Sequence, residues 1–196
     1  MSKFVQRSII LLIMLTTGVT MGKSQDVFTV IHNRKSVRSY QEKAVPEEKA
    51  EAMLKAAMAA PTARNLQPWL FYVITDRTIL NQLAESLPYA KMLAQAPMAI
   101  VVAGDTRKSN PQTEQHLNWA FDCSAATQNL LLAAEALGLG AVWTGVFPYS
   151  ERVNAVQKAL SLDPNITPLN IIPVGYPAGE DQPKIKWDPE KVKWIR

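Results

Sequence analysis

A five-residue basic segment is the first part of this chain that could do chemistry. Three cations and one hydroxyl follow the helix-like stretch 27–31, namely Arg34, Lys35, Ser36 and Arg38. A guanidinium binds phosphate oxygens bidentately, an ammonium acts as a point charge, and a serine hydroxyl adds a neutral hydrogen bond. The segment therefore suits a phosphorylated small ligand or a nucleic-acid backbone, and a solvated run of surface charge is the third interpretation.

The charge balance of the chain decides against nucleic acid. The sequence carries 21 Lys and Arg against 17 Asp and Glu, a net charge of +4. Three of the bases, Lys3, Arg7 and Lys23, lie in the first 24 residues, which hold no acid. Without them 18 basic residues face 17 acidic ones, so the rest of the chain has no electrostatic footprint for a polyanion. We expect no nucleic-acid partner.

The first 24 residues are typical of a secretory signal peptide. Lys3 and Arg7 precede a continuously apolar stretch, 9–15, and smaller residues follow at 16–22. The apolar stretch is too short to span a bilayer comfortably, which favours a cleaved signal over a stable membrane span. We predict a signal peptide at 1–24, one domain at 25–196, and export, with the periplasm as the expected compartment. If the signal prediction is wrong, the protein is cytoplasmic.

The cysteine and histidine counts exclude several kinds of site. Cys123 is the only cysteine, so no intramolecular disulfide can form, and its apolar helical surroundings predict a buried, inert thiol. With His32 and His116 as the only histidines, we expect no metal site.

A proline-flanked loop carries the second set of candidate residues. Pro61 and Pro68 stiffen this loop, and the amides of Asn65 and Gln67 both donate and accept hydrogen bonds. Such amides suit the edge of a planar heterocycle or the hydroxyls of a sugar-like chain. Turn chemistry alone explains the same residues equally well.

Two further segments could complete a ligand site. A strand ending at Trp143, Thr144 and Gly145 would let a ring approach the backbone, because glycine has no side chain. Lys184 and Lys186 alternate along an extended tail and would bring two more charges to one side of it. The chain has no G-x-G-x-x-G motif, so any redox cofactor must be held in some other way than in a Rossmann fold.

Hydrophobic periodicity and capping residues predict the elements that must position these residues. Helices are expected at 46–60, at 77–87 after an Asp76 cap, at 110–137 as the central core helix, and at 150–160. Strands are expected at 70–75, 98–103, 141–146 and 169–174. The polar, tryptophan-bearing tail from residue 176 onward is expected to lie across another surface.

Taken in order, these segments resemble the nitroreductase family of FMN-dependent oxidoreductases, in its compact branch. The resemblance rests on RKSVRSY at 34–40, PTARNLQPW at 61–69, QNLLLAAEALGLGAVWTG at 128–145, and IIPVGYP at 171–177 with Lys184. It implies an α+β fold: a mostly antiparallel central sheet, helices around a long core helix, and a C-terminal tail wrapping a partner subunit. It also implies a homodimer with FMN at the interface.

The resemblance assigns FMN-binding roles to residues of all four segments. It implies that Arg34, Lys35 and Ser36 bind the flavin phosphate and ribityl chain. Arg38 is implied to reach the pyrimidine side of the ring. The partner subunit's loop supplies Pro61, Thr62, Ala63 and Asn65, with Gln67 in the same loop. The segment of Trp143, Thr144 and Gly145 is implied to lie along the ring near N5. Lys184 and Lys186 are implied to bind the phosphate from the other side.

The implied activity is hydride transfer from NAD(P)H through flavin N5 to nitroaromatic, quinone or similar electron-poor substrates, in a ping-pong mechanism without a catalytic side chain. A reductive dehalogenase, a flavin-processing enzyme and a non-catalytic electron carrier are the alternatives. Two departures from the family pattern stand out: Lys186 replaces an arginine, and Pro88 stands where some members place an amide upstream of the lysine that Lys91 matches.

Overall fold

The computed structural model describes residues 26–109 and 117–196. The predicted signal peptide and the start of the predicted long helix, residues 110–116, lie outside the described residues. Within them the α-helices are α1 (Val27–Asn33), α2 (Glu47–Met58), α3 (Arg77–Ser86), α4 (Asn118–Ala136) and α5 (Ser150–Leu160). The strands are β1 (Trp69–Ile74), β2 (Met98–Asp105), β3 (Gly140–Ala141), β4 (Thr144–Gly145) and β5 (Ile166–Gly175).

Local signals in the sequence set several of the helix ends. The carboxylate of Asp76 accepts hydrogen bonds from the backbone N–H groups of Thr78 at 2.7 Å and Ile79 at 3.1 Å, as an N-cap does. At the end of α4, Gly138 takes a φ of +71°, and the Leu139 N–H returns to the Ala134 carbonyl at 2.8 Å. This closure needs a residue that tolerates positive φ, which explains the glycine.

An antiparallel sheet in the order β1-β2-β5-β3, with β4 also paired to β5, forms the middle layer. Every residue of β2 is buried, and its side chains alternate between two cores. Met98, Ile100 and Val102 pack with α2 and α4 on one face of the sheet. Ala99, Val101 and Ala103 pack with α3 and α5 on the other. The predicted α+β architecture around a long core helix is confirmed.

The prediction of one continuous strand at 141–146 is wrong. β3 and β4 share a single register on β5, with Ala141 opposite Val174 and Thr144 opposite Ile171. Continuing that register places Pro173 opposite Val142. Proline has no N–H to donate to a ladder, so the pairing is interrupted there. The interruption leaves Val142 and Trp143 between two short strands rather than inside one.

Several apolar side chains that pattern alone would bury lie on the surface. Phe28 in α1 is 66% exposed, and Met58 at the end of α2 is 53% exposed. Phe121 of α4 is 66% exposed as well.

From residue 176 to the end, only a short 3₁₀ turn at Pro189–Lys191 is regular. In the part of the chain that is described, no helix combines the length and apolarity needed to cross a membrane.

Candidate functional site

The basic segment lies along the short strand β3. Ser36 forms a parallel bridge with Ala141, and the Val37 N–H donates to the Ala141 carbonyl at 3.1 Å. The Val37 side chain is buried and packs so closely on Gly140 that a Cβ there would lie 2.6 Å from Val37 Cγ1. Because side chains alternate along extended backbone, burying Val37 turns its neighbours Ser36 and Arg38 toward the other side.

The base of the C-terminal tail pairs with the same segment. Tyr40 bridges Pro177, the Gln41 N–H donates to the Tyr176 carbonyl at 2.9 Å, and the Ala178 N–H donates to the Ser39 carbonyl at 3.0 Å. These bonds fix where the tail leaves the sheet. They explain how lysines 150 positions away in sequence reach the basic segment.

A cavity of about 1100 Å³ lies between the basic segment and the tail. Six of the predicted cofactor-binding residues line it: Arg34, Lys35, Ser36, Arg38, Lys184 and Lys186. Asp181 is the only acid among the lining residues. Within the described ranges, no carboxylate lies within 4 Å of the charged groups of Arg34, Arg38, Lys184 or Lys186. The arrangement leaves four cations and a hydroxyl for an anionic ligand.

Lys35 differs from the other cations of this cavity. Its ammonium lies 3.3 Å from the carboxylate of Glu135, near the C-terminal end of α4, and 3.5 Å from the Asn33 carbonyl. Both charged side chains are largely buried, with 23% and 17% exposure. The Lys35 charge is therefore already compensated, and its clearest role in this structure is to attach the basic segment to α4.

A second, smaller cavity of about 120 Å³ adjoins the first through Arg38, which lines both. The other predicted residues that line it are Trp143, Thr144 and Gly145. Pro88, which the resemblance places where some members have an amide, lines it too, together with Tyr89, Met92, Val142 and Arg152. The break in the strand next to Pro173 exposes Trp143 to 39% at this cavity.

The predicted 61–67 loop does not reach either cavity of its own chain. The Thr62 hydroxyl donates to Asp122 Oδ2 at 2.7 Å, and the Ala63 N–H donates to Asp122 Oδ1 at 3.1 Å. Asp122 is in the first turns of α4, whereas Glu135 is in its last turn. Thirteen residues of α-helix separate the two by about 20 Å. The residues left away from the cavities are Pro61, Thr62, Ala63, Asn65 and Gln67.

The loop itself is preorganised. The Gln67 side-chain amide donates to Asn65 Oδ1 at 2.9 Å, and the Gln67 N–H donates to the Thr62 hydroxyl at 3.0 Å. Arg64, Asn65 and Gln67 all take positive φ values, between 47° and 56°. Positive φ values are uncommon for residues other than glycine. The loop therefore needs contacts such as those to Asp122 to keep this backbone conformation.

Two arginines that sequence reasoning missed support the small cavity. Arg77 donates to the carbonyls of Leu93, Ala94 and Ala96, at 2.7 to 3.1 Å, and so anchors the turn that follows Tyr89. Arg152 donates to the Gly145 carbonyl at 3.1 Å and stacks on the Tyr149 ring at 3.8 Å. Neither arginine lies in a recognisable motif; Arg152 could have been found only from its place in the first turn of α5, where a cation opposes the helix dipole.

The single thiol stays outside this chemistry. Cys123 is fully buried against β2, and burial raises the pKa of its thiol to about 12. Its Sγ lies 3.5 Å from the Ala103 carbonyl. The predicted burial of the thiol is confirmed, and its inertness stays a prediction.

Fold and site together describe a class of protein: small α+β domains with a cation-lined cavity where the sheet edge meets the C-terminal tail. The nitroreductase family model matches residues 31–88 and 81–176, and the chain belongs to the nitroreductase family.

Relatives of known sequence or structure match this chain over most of their own length. A Methanothermobacter thermautotrophicus protein, provisionally named NADH dehydrogenase/NAD(P)H nitroreductase, is 41% identical over 172 residues, covering 86% of this chain and 88% of that protein. A crystal structure of a protein of the same provisional name from Bacteroides thetaiotaomicron is 49% identical, with a TM-score of 0.81, over 86% of this chain and 96% of that one. A provisional nitroreductase from Desulfovibrio desulfuricans, solved in complex with FMN, is 31% identical, with a TM-score of 0.76, over 89% and 99%.

Proposed function

We propose that this protein is a homodimeric, FMN-dependent oxidoreductase that takes hydride from NAD(P)H or another reductant and reduces electron-poor aromatic compounds. The observation that carries the proposal is the cavity whose four cations have no carboxylate partner within the described residues. A phosphate monoester brings a charge of about −1.5 to −2 and three acceptor oxygens, which suits this donor set. The FMN in the Desulfovibrio relative supports the same choice.

The residues present fit the two parts of such a cofactor. Arg34, Ser36 and the two tail lysines would hold the phosphate and the polyol chain in the large cavity. Arg38, which lines both cavities, would lie beside the ring and favour negative charge at its pyrimidine edge. Bound FMN would supply a ring that accepts and passes on hydride. The protein's own part is to hold that ring, to bind substrate beside Trp143, and to keep water out.

A second subunit would complete the site. The 61–67 loop, here called the Asn65 loop, is held at one end of α4, and the basic segment is held at the other. One chain would therefore offer two separated half-sites. Exposed apolar side chains are available for a subunit contact: Phe28, Ile31, Met58, Phe121, Ile185, Trp187 and Trp194. Pairing two copies would bury this apolar surface and bring the Asn65 loop of each to the cavity of the other.

Export is the remaining part of the proposal. Residues 1–24 would direct the domain out of the cytoplasm, away from the NAD(P)H pool, so the physiological donor would be a different reductant while NAD(P)H remains a usable one in vitro. The alternative that the experiments must exclude is a flavin-binding electron carrier without catalytic turnover.

The first experiment is to record the visible spectrum of the purified protein and to identify the released cofactor. NADH or NADPH is then added anaerobically, followed by a nitroaromatic compound. We expect a yellow protein that bleaches with nicotinamide and regains colour with the nitroaromatic. Bleaching by dithionite but not by NAD(P)H would indicate another donor or a carrier, and a colourless protein that binds no added FMN would overturn the proposal.

Subunit complementation tests the shared site. Arg34→Gln damages the phosphate half, and Asn65→Gly removes the loop amide while tolerating the φ of 56° at that position. Each variant alone should lose activity. Because half of the sites in a mixed dimer have both halves intact, co-expression should restore about a quarter of the wild-type activity. No recovery in verified mixed dimers would contradict a shared site.

A further inference from the structure

The guanidinium of Arg152 lines the small cavity, and its contacts within the protein occupy only some of its N–H donors. It stacks on Tyr149 at 3.8 Å and gives one N–H to the Gly145 carbonyl at 3.1 Å, which holds the group in place. A guanidinium carries five N–H donors, so most of them remain available. No carboxylate lies within 4 Å of it in the part of the chain that is described.

The indole of Trp143 adds a second donor beside the same glycine. Its Nε1 lies 3.9 Å from the position that a Cβ on Gly145 would take, and it makes no hydrogen bond within the described residues. The ring is 39% exposed at the cavity. N–H donors of two side chains, one of them charged, therefore lie beside Gly145 without a protein acceptor among the described residues and are open to a ligand.

The setting of Arg152 also favours an anion. The residue is in the first turn of α5, where the helix dipole disfavours a cation. The other charged residue that lines this cavity is Arg38, again a cation. A ligand carboxylate would offset both unfavourable terms. Aromatic surface is at hand for the rest of the ligand, since Tyr89 is 83% exposed at the rim and Arg77 anchors the turn that follows it.

We propose that Arg152 and the Trp143 indole N–H form an anion subsite in the small cavity, which selects aromatic substrates that carry a carboxylate. This inference rests on the proposed function and names the substrate class of the same site. Arg152 acts as a specificity-determining residue: it binds the substrate's charge and takes no part in the transfer itself.

The experiment compares 4-nitrobenzoate with 4-nitrobenzamide, which has nearly the same shape without the charge. Arg152→Gln keeps an N–H donor near Gly145 but removes the charge, and Lys158→Gln removes one charge from an exposed position of the same helix as a matched control. In Arg152→Gln, kcat/KM for nitrobenzoate should fall about 10- to 100-fold, with little change for nitrobenzamide. Arg152→Lys should be intermediate, and Lys158→Gln should match the wild type.

A second readout does not depend on turnover. Benzoate and benzamide are titrated by calorimetry into the purified protein and the same variants, and Arg152→Gln should weaken only benzoate binding, by a similar factor. Equal losses for both compounds would mean that Arg152 only supports the fold. A shift of the flavin midpoint potential with unchanged selectivity would mean that it acts on the cofactor, and either result overturns the subsite.

The two proposals fail in different ways. If neither nitro compound is reduced, the proposed function fails, and the benzoate titration still decides whether the subsite exists. If both compounds are reduced and their ratio does not depend on Arg152, the proposed function stands and the subsite does not.

Discussion

Removing the Lys35 ammonium is expected to destabilise the protein through Glu135, and a double-mutant cycle across this pair measures the loss. The charges lie 3.3 Å apart, and the side chains keep only 23% and 17% of their exposure. At an effective dielectric constant of about 20, two unit charges at this distance attract by about 5 kcal/mol. Lost hydration offsets most of that attraction, which leaves a coupling energy of about 1–2 kcal/mol.

Four proteins enter the cycle: wild type, Lys35→Met, Glu135→Gln and the double variant. Lys35→Met should lower the free energy of unfolding by about 2–3 kcal/mol, because it leaves a largely buried carboxylate unpaired. The double variant should recover much of that loss. Urea unfolding is followed on flavin-free protein at one fixed protein concentration, because subunit association would otherwise change the apparent stability.

The exposed pair Lys55–Glu51 provides a matched control. It has the same chemistry at 3.1 Å, but its side chains are 77% and 58% exposed. Its coupling energy should be no more than about 0.5 kcal/mol. A coupling for Lys35–Glu135 below about 0.3 kcal/mol, within the usual additivity error, would refute the reasoning.

The same four proteins decide what Lys35 does for the cofactor. If Lys35 mainly attaches the basic segment to α4, the FMN affinity lost in Lys35→Met should return to within about threefold when Glu135 is also neutralised. If Lys35 binds the phosphate directly, as the family resemblance implies, the double variant should bind FMN as weakly as Lys35→Met does.

Three further predictions test the cofactor site, the core and a surface pair. Lys186→Arg should tighten FMN binding by about three- to tenfold, because a guanidinium can bind the phosphate bidentately; release of flavin fluorescence on dilution measures this, and unchanged affinity would place Lys186 away from the phosphate. At pH 8 the Cys123 thiol, with its pKa raised to about 12 by burial, should resist a thiol reagent in the native protein and react fully in urea; equal rates would show that the thiol is accessible. The hydrogen bond from Arg107 lowers the pKa of Asp105, so this carboxylate stabilises the fold above the ordinary carboxyl pKa, and that stability is lost as the pH falls through the lowered value. Arg107→Gln should therefore be less stable than the wild type at pH 7 and lose this difference in acid, as unfolding at the two pH values would reveal.

The elements that sequence patterns predicted well are those with local causes. Helix α5 matches its predicted range, since its apolar face and its ends are written in consecutive residues. Asp76 caps α3, and Gly138 ends the turn after α4, as expected from their residue types. The α+β fold class and the buried strand β2 followed from the same kind of information.

What the patterns could not predict depends on residues far apart in the chain. The split between β3 and β4 depends on Pro173, a residue of another strand, about thirty positions away. The contact between Lys35 and Glu135 spans 100 residues, and no local pattern indicates that the Lys35 ammonium has this partner on α4. The contacts of Arg152 with the Gly145 carbonyl and the Tyr149 ring depend on how β4 and α5 pack and leave no local signal in the sequence.

Helix α4 is a rigid spacer between the 61–67 loop and the basic segment of one chain. Near its beginning Asp122 accepts hydrogen bonds from Thr62 and Ala63, and at its end Glu135 pairs with Lys35. The separation between this loop and the basic segment is therefore fixed by the rise of the helix rather than by flexible loops. In a dimer built as proposed, each site takes one half from each subunit, so both sites would be positioned by the same two helices. A displacement of α4 in either subunit would then alter the geometry of both sites at once, because each helix carries a half of each.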